Sequence, residues 1–189
     1  ANTVRGIPLA ANDGAPRLTV RETDYGFMYG SRRSVSNGEY YWRVTQFLLP
    51  GYSMIASGSS NRSSGSWVPV DDEHCMGWRF NWDFQTPFPP EKRGGQGSYP
   101  RVNDKFEAVA TRDNDYQIDR QVQATRSYTG IAGIFNQDHA VTESMGGIVD
   151  HTFEHLAPSD LMITQTRRRI LKALQAYQAD GTLPPVLLL

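Results

Sequence analysis

Six segments of strand character follow one another between Arg17 and Phe84, and no helical period interrupts them. They are Arg17–Thr23, Tyr25–Arg33, Glu39–Leu49, Ser53–Ser57, Ser66–Val70 and His74–Phe84, separated by Gly, Asn, Ser and Pro. Parallel neighbours need a crossover of about a dozen residues or more, and these connections are shorter, so the region is constrained to a mainly antiparallel meander. Ser36-Asn37-Gly38 suits a hairpin turn, and Gly58–Gly65 has the composition of a flexible loop tip. The last segment is the most regular. His74, Met76, Trp78, Phe80, Trp82 and Phe84 share one face by period two, and Cys75, Gly77, Arg79, Asn81 and Asp83 share the other. A face this aromatic packs on a helix or walls an apolar cavity that accepts an aromatic molecule. On either reading Trp78 and Trp82 are expected to be largely buried, and both are candidate substrate contacts.

After Phe84 the pattern changes. Gln85 to about Tyr116 is irregular and rich in Pro and Gly and longer than a plain connection, and so reads either as a candidate cover over a site or as a disordered stretch. Asn136 is expected to cap a helix running to about Met145 and stopped by Gly146-Gly147. Asp138, Val141 and Met145 share a face of that helix, which sets a carboxylate in line with apolar residues expected to point inward. A longer helix is expected from a Ser159 cap to Asp180-Gly181. Its apolar stripe of Ile163, Ile170, Leu174 and Tyr177 is expected to pack on the sheet, with Arg167, Arg168 and Arg169 as a solvated run largely outside it. The architecture expected is therefore α+β, an antiparallel sheet packed on a long C-terminal helix.

Composition narrows the function. The 189 residues, 39% apolar, suffice for one domain with a sizeable core. Nineteen Lys and Arg against 20 Asp and Glu give a net charge of −1, which excludes a basic field for nucleic acid. One cysteine, Cys75, excludes an internal disulfide framework, a CxxC zinc site and a cysteine-ligated cluster within these residues, and points to a reducing, cytoplasmic setting. No apolar run approaches the length of a membrane span. His151-Thr152-Phe153-Glu154-His155 spells a zinc-peptidase motif, but Glu154 is the last Glu, and the bare spelling is better read as polar residues closing a helix connection. Asp71-Asp72-Glu73-His74 reads as a solvated turn before a cation site. The nucleophile elbow, the P-loop and the dinucleotide glycine motif are all missing from the sequence.

Stretches along much of the chain carry a family resemblance. Asn136-Gln137-Asp138-His139-Ala140-Val141-Thr142-Glu143-Ser144-Met145-Gly146, then 150–160 (DHTFEHLAPSD), then Arg167-Arg168-Arg169-Ile170-Leu171 resemble the C-terminal signature of Rieske non-haem iron aromatic ring-hydroxylating oxygenase α subunits of the phthalate dioxygenase type. Upstream, Tyr25-Gly26-Phe27 with Arg32-Arg33, the stretch 41–50 (YWRVTQFLLP) and 67–74 (WVPVDDEH) are similar to strands of the same family's catalytic domain. The resemblance implies a helix-grip (START-like) fold, a curved antiparallel sheet around the long C-terminal helix, in agreement with the element order read above. It implies mononuclear Fe(II) held by two histidines and one carboxylate, a ligand set that leaves positions open for dioxygen. Asp138 is the counterpart of that carboxylate. The two histidines, and the [2Fe–2S] Rieske cluster with its C-x-H and C-x-x-H pairs, have no counterpart in residues 1–189, which read as the C-terminal part of the catalytic domain. By itself this part is expected to be inactive and colourless.

The resemblance further implies an aromatic substrate and O2, electrons supplied by a reductase, a homo-oligomer, a trimer in the family, and a product either hydroxylated or O-demethylated. Arg43, opposite Trp42 on its strand, is a candidate partner for a substrate carboxylate, which a guanidinium pairs bidentately, although a plain surface or structural arginine is the more common role for such a residue. Glu143 is expected to serve packing or subunit contacts rather than metal binding. The alternative from another class is a non-enzymatic helix-grip module that uses its cavity to bind an apolar small molecule.

Overall fold

The computed structural model describes residues 3–4, 7–8, 13–35, 38–55, 61–87 and 100–188. Two compact units divide the chain, one within Ala1–Val70, Cys75–Pro87 and Glu154–Leu189, the other within Asp71–His74 and Phe88–Phe153.

The first unit holds the expected meander. After a short ladder of β1 (Thr3–Val4) and β2 (Ile7–Pro8) come β3 (Arg17–Thr23), β4 (Gly26–Ser34), β5 (Tyr40–Leu48), β6 (Tyr52–Met54), β7 (Asn61–Pro69) and β8 (Cys75–Asp83). The last six form one sheet in sequence order, every neighbour antiparallel. Gly26 opens β4 at φ +149°, where a Cβ would stand 2.2 Å from the Phe47 carbonyl oxygen, so only glycine allows β4 and β5 this approach. Ser36 and Asn37 of the expected hairpin turn lie outside the described residues, but the hairpin is present, with Ser34 opposite Tyr40.

The loop expected over Gly58–Gly65 is corrected for 61–65, while 58–60 lie outside the described residues. β7 begins at Asn61, and Ser63, Ser64 and Gly65 pair with Asn81, Phe80 and Arg79. Polar, small residues here serve neighbours rather than flexibility: Arg79 and Trp67 reach over Gly65, whose Cβ would meet Arg79 Nη1 at 2.8 Å, and Ser64 Oγ donates to the Ser53 carbonyl at 3.0 Å.

A long helix, Leu161–Asp180, completes this unit behind a three-residue 3-10 turn, Pro158–Asp160, and ends on Gly181 in the left-handed region at φ +78°. Its N-cap is Asp160, one residue after the expected Ser159. The helix packs on β3 and β4, as expected of it, but not through the expected stripe. Met162, Gln165, Thr166, Arg169, Ala173 and Ala176 are half-buried, while Ile163, Ile170, Leu174 and Tyr177 are exposed. Alanines at 173 and 176 let the backbone approach the strands, and the bulkier stripe is turned aside from them.

Register assigns the two faces of the sheet. Phe27, 1% exposed and the largest fully buried side chain, shares a cleft with residues of the long helix, so the helix covers the face bearing Phe27, Tyr29 and, by pairing, Ser31, Arg43, Thr45 and Phe47. Trp42, Tyr52, Trp78, Phe80 and Trp82 all fall on the opposite face. Trp78 is 54% exposed, which corrects its expected burial, and Trp82 is half-buried. The aromatic period was real, but a period names a face without naming what covers it.

The second unit holds two α-helices, Arg120–Thr125 and Ile134–Ser144. We number them α1 and α2, and the long helix Leu161–Asp180 is α3. Asp119 caps α1 by accepting from Val122 N at 2.8 Å. α2 starts two residues before the expected Asn136 cap, from Gly133 at φ +83°. The part of the candidate cover at 88–99 lies outside the described residues. Its described remainder folds as a Val102–Ala108 bridge and a 3-10 turn at Arg112–Gln117.

Candidate functional site

α2 carries the residue on which the resemblance centres. Asp138 stands in its second turn and is exposed, as are His139, Val141 and Met145, while Ala140 is the buried position. The expectation that Asp138 lies in line with inward residues is therefore corrected: within these residues its face is open. The helix is secured elsewhere. Arg112 Nη2 donates to the Glu143 carbonyl at 2.7 Å, Gln137 Nε2 to the Ile131 carbonyl at 3.1 Å, and Asn136 Nδ2 to the Ala132 carbonyl at 2.7 Å. Glu143 thus anchors the Arg112–Gln117 turn, in keeping with a packing role.

Among the described residues no group of three or more His, Cys, Asp or Glu side chains is arranged to hold a metal ion. The donor set present does not fit a complete mononuclear iron site; a lone exposed carboxylate offers at most one of the three donors that such a site requires. The HxxEH spelling also dissolves. His151–Phe153 is a three-residue 3-10 turn, so the two histidines do not stand one α-helical turn apart, and Glu154 instead forks onto Arg167, with contacts of 2.5 and 2.8 Å.

The acidic run at 71–74 is a hydrogen-bonded turn. Asp71 Oδ1 accepts from Glu73 N at 2.8 Å and His74 N at 2.7 Å and faces His74 Nδ1 at 2.9 Å. The backbone donor of Glu73, with the His74 ring next, holds the Asp71 carboxyl below its ordinary 3.8, and the Asp71 contact lifts His74 above its ordinary 6.5. Its polar groups satisfy one another, so it behaves as the solvated turn expected.

The other candidates belong to the sheet unit. Arg43, opposite Ser31, is on the α3 face of the sheet, and Trp78 and Trp82 are on the other, so these three do not line one surface. Sequence reasoning missed Trp67 and Arg79, which stack across Gly65 on the same face as Arg43, the guanidinium 5.4 Å from the ring centroid. A signal existed in the strict alternation of β8, which puts Arg79 opposite the aromatic face, but Gly65, its cross-strand neighbour, lay in the stretch read as a loop. Tyr116 was also missed. It sits at φ +53° between Asp115 and Gln117, both likewise left-handed, with its hydroxyl buried and unpartnered, a conformation no local sequence pattern announces.

Comparison with known proteins places this arrangement. The family model described as LigXa C-terminal domain like matches residues 7–183. The chain is 39% identical over 192 residues to the 3-chlorobenzoate-3,4-dioxygenase oxygenase subunit of Comamonas testosteroni, covering 90% of this chain and 44% of that protein. It is 33% identical over 176 residues to the phthalate 4,5-dioxygenase oxygenase subunit of Pseudomonas putida, covering 89% and 40%, and 26% identical over 187 residues to the phenoxybenzoate dioxygenase subunit alpha of Ectopseudomonas oleovorans, covering 95% and 39%. The chain thus spans about two fifths of the length of these relatives. No helix among the described residues is long and apolar enough to cross a membrane. With a match over nearly its whole length and the sheet and helix order already described, the chain belongs to the LigXa C-terminal domain-like family, the C-terminal catalytic region of Rieske oxygenase α subunits.

Proposed function

We propose that residues 1–189 are the C-terminal part of the catalytic domain of an oxygenase component that hydroxylates or O-demethylates an aromatic carboxylate. The observation that carries this reading is the family match over residues 7–183. The substrate class follows from the relatives, which are named for chlorobenzoate, phthalate and phenoxybenzoate, each an aromatic carboxylate. In this reading mononuclear Fe(II) would supply O2 activation and a [2Fe–2S] Rieske cluster fed by a reductase would supply electrons, and all but one of the iron and cluster ligands would come from outside these residues. Asp138 is the carboxylate this chain contributes. Arg43 is the group that receives the substrate carboxylate, supported by its place on the α3 face of the sheet and by the planar fork of its guanidinium. Trp78 and Trp82 are not assigned to the substrate, because their face of the sheet is the one α3 does not cover. Homo-oligomeric assembly and a cytoplasmic setting complete the proposal.

The test is Asp138→Ala in the full-length protein. Substrate oxidation should disappear and mononuclear iron should fall, while the Rieske absorption stays and the melting temperature moves little, since an exposed side chain near a helix N-terminus contributes only about 0.3–1 kcal/mol. Retained iron and turnover would sink the assignment of Asp138. Arg43→Gln should raise KM for carboxylated arenes far more than it lowers kcat; equal KM values in the two proteins would remove Arg43 from the substrate.

A further inference from the structure

The run Arg167–Arg169, expected to be a uniformly solvated face, is divided in the folded chain. Arg167 turns to Glu154. Its two neighbours line an open cleft of about 180 Å³ between α3 and the β3–β4 edge of the sheet, together with Gln165 and Lys172 from the helix and Glu22 and Phe27 from the strands. Positions 165, 168, 169 and 172 follow the i, i+3, i+4, i+7 spacing, so one strip of helix presents two guanidinium groups, an ammonium and an amide to the same space. Against these three cations stands the single carboxylate of Glu22, an excess of two positive charges. Among the described residues none of the four charged groups is engaged in an ion pair. Moreover, Arg169 Nε is buried and has no hydrogen-bond acceptor. A buried N–H without an acceptor is costly, more so when charged, and such groups are rare unless a water or an ion completes them.

We propose that this cleft is an oxyanion-binding site, taking one carboxylate or phosphate group carried either by a free small molecule or by an acidic side chain of a protein partner. Arg168 and Arg169 supply planar forks that match the oxygens of either group, Lys172 adds an unfixed charge, and Gln165 adds a neutral donor. Phe27, sealed at 1% exposure, closes the floor. Glu22 repels a second anion, which holds the site to one such group. It is separate from the proposed substrate role of Arg43 and does not depend on iron.

The full-length protein is titrated calorimetrically with inorganic phosphate and, separately, with a hexaglutamate peptide, at ionic strength held constant with chloride. At least one probe should bind saturably, and Arg168→Gln with Arg169→Gln should weaken it at least tenfold. Arg167→Gln, outside the cleft, should leave it within twofold. Since Arg169 is partly packed, Arg168→Gln with Lys172→Gln is the second variant and should give the same loss with an unchanged far-ultraviolet circular dichroism spectrum. Phosphate binding marks a small-molecule source, and binding of the peptide alone marks a protein-borne carboxylate. Saturable binding of neither probe, or binding that both double variants retain, overturns the proposal.

Discussion

Replacing Phe27 by Ala while, in a parallel variant, replacing Trp78 by Ala separates the packing deduced from register from the packing that the aromatic period alone suggested. Phe27 is 1% exposed beneath α3, whereas Trp78 is 54% exposed on the opposite face of the sheet. Truncating a fully buried Phe forfeits a transfer contribution of about 2–3 kcal/mol. It also leaves a residual void of up to roughly 80 Å³, worth about 2 kcal/mol at ~24 cal/mol per Å³. Phe27 borders the open cleft beside Arg168 and Arg169, so part of that void fills with water, and the expected loss is about 3–5 kcal/mol. Trp78 already has more than half its surface in solvent, which scales its transfer contribution to about 1–1.5 kcal/mol and adds no closed cavity. Urea unfolding followed by circular dichroism and by tryptophan fluorescence reads both, with an unchanged m value required for the comparison. A Phe27→Ala loss below about 1.5 kcal/mol, or a Trp78→Ala loss larger than that of Phe27→Ala, would refute the assignment of sheet faces.

Other perturbations test local features. Gly26→Ala should cost more than about 2 kcal/mol in the same urea assay, because its Cβ cannot coexist with the Phe47 carbonyl and φ +149° strains any other residue. His74 should titrate above 6.5 by NMR and return to the ordinary imidazole range in Asp71→Asn. The raised imidazole pKa contributes stability that is complete below 6.5 and fades as pH rises through the folded value; the lowered Asp71 pKa contributes stability present above 3.8 and lost as pH falls through its folded value. The turn at 71–74 should therefore be best ordered between those limits, and a His74 chemical shift that titrates identically in Asp71→Asn would refute this. Glu154→Gln should cost less than about 1 kcal/mol of stability, since its bridge to Arg167 is 27% and 43% exposed at its two ends.

Much of the sheet was legible because strand periodicity is local. β3 was read to the residue, and β4, β5 and β8 to within one residue at each end, since alternating apolar residues and turn chemistry report directly on backbone conformation. β7 was half missed. Its Asn, Arg, Ser and Gly carry no strand propensity of their own, and they pair because β8 presents nine consecutive partners and because Gly65 leaves room for Arg79 and Trp67. Asp138 could be singled out only through its motif, for helical spacing wrongly placed its face inward.

What the sequence determined by itself was the order of the six strands of the main sheet and of the two longer helices, the antiparallel pairing and the family, all of which rest on short-range patterns or on motifs spelled in the chain; the β1–β2 ladder and α1 were not read from it. Tertiary structure decided which face of each element meets another. α3 has an apolar stripe at Ile163, Ile170, Leu174 and Tyr177, yet it approaches β3 and β4 through Met162, Thr166, Ala173 and Ala176, and the aromatic row of β8 lies on the sheet face away from it. An amphipathic period is a property of one element, whereas burial depends on a second surface and on how closely two backbones can approach, which small residues permit and large ones prevent. The same reason split the arginine run: three consecutive residues on a helix point about 100° apart, so only the assembled fold could send Arg167 to Glu154 and its neighbours into the cleft beside Phe27.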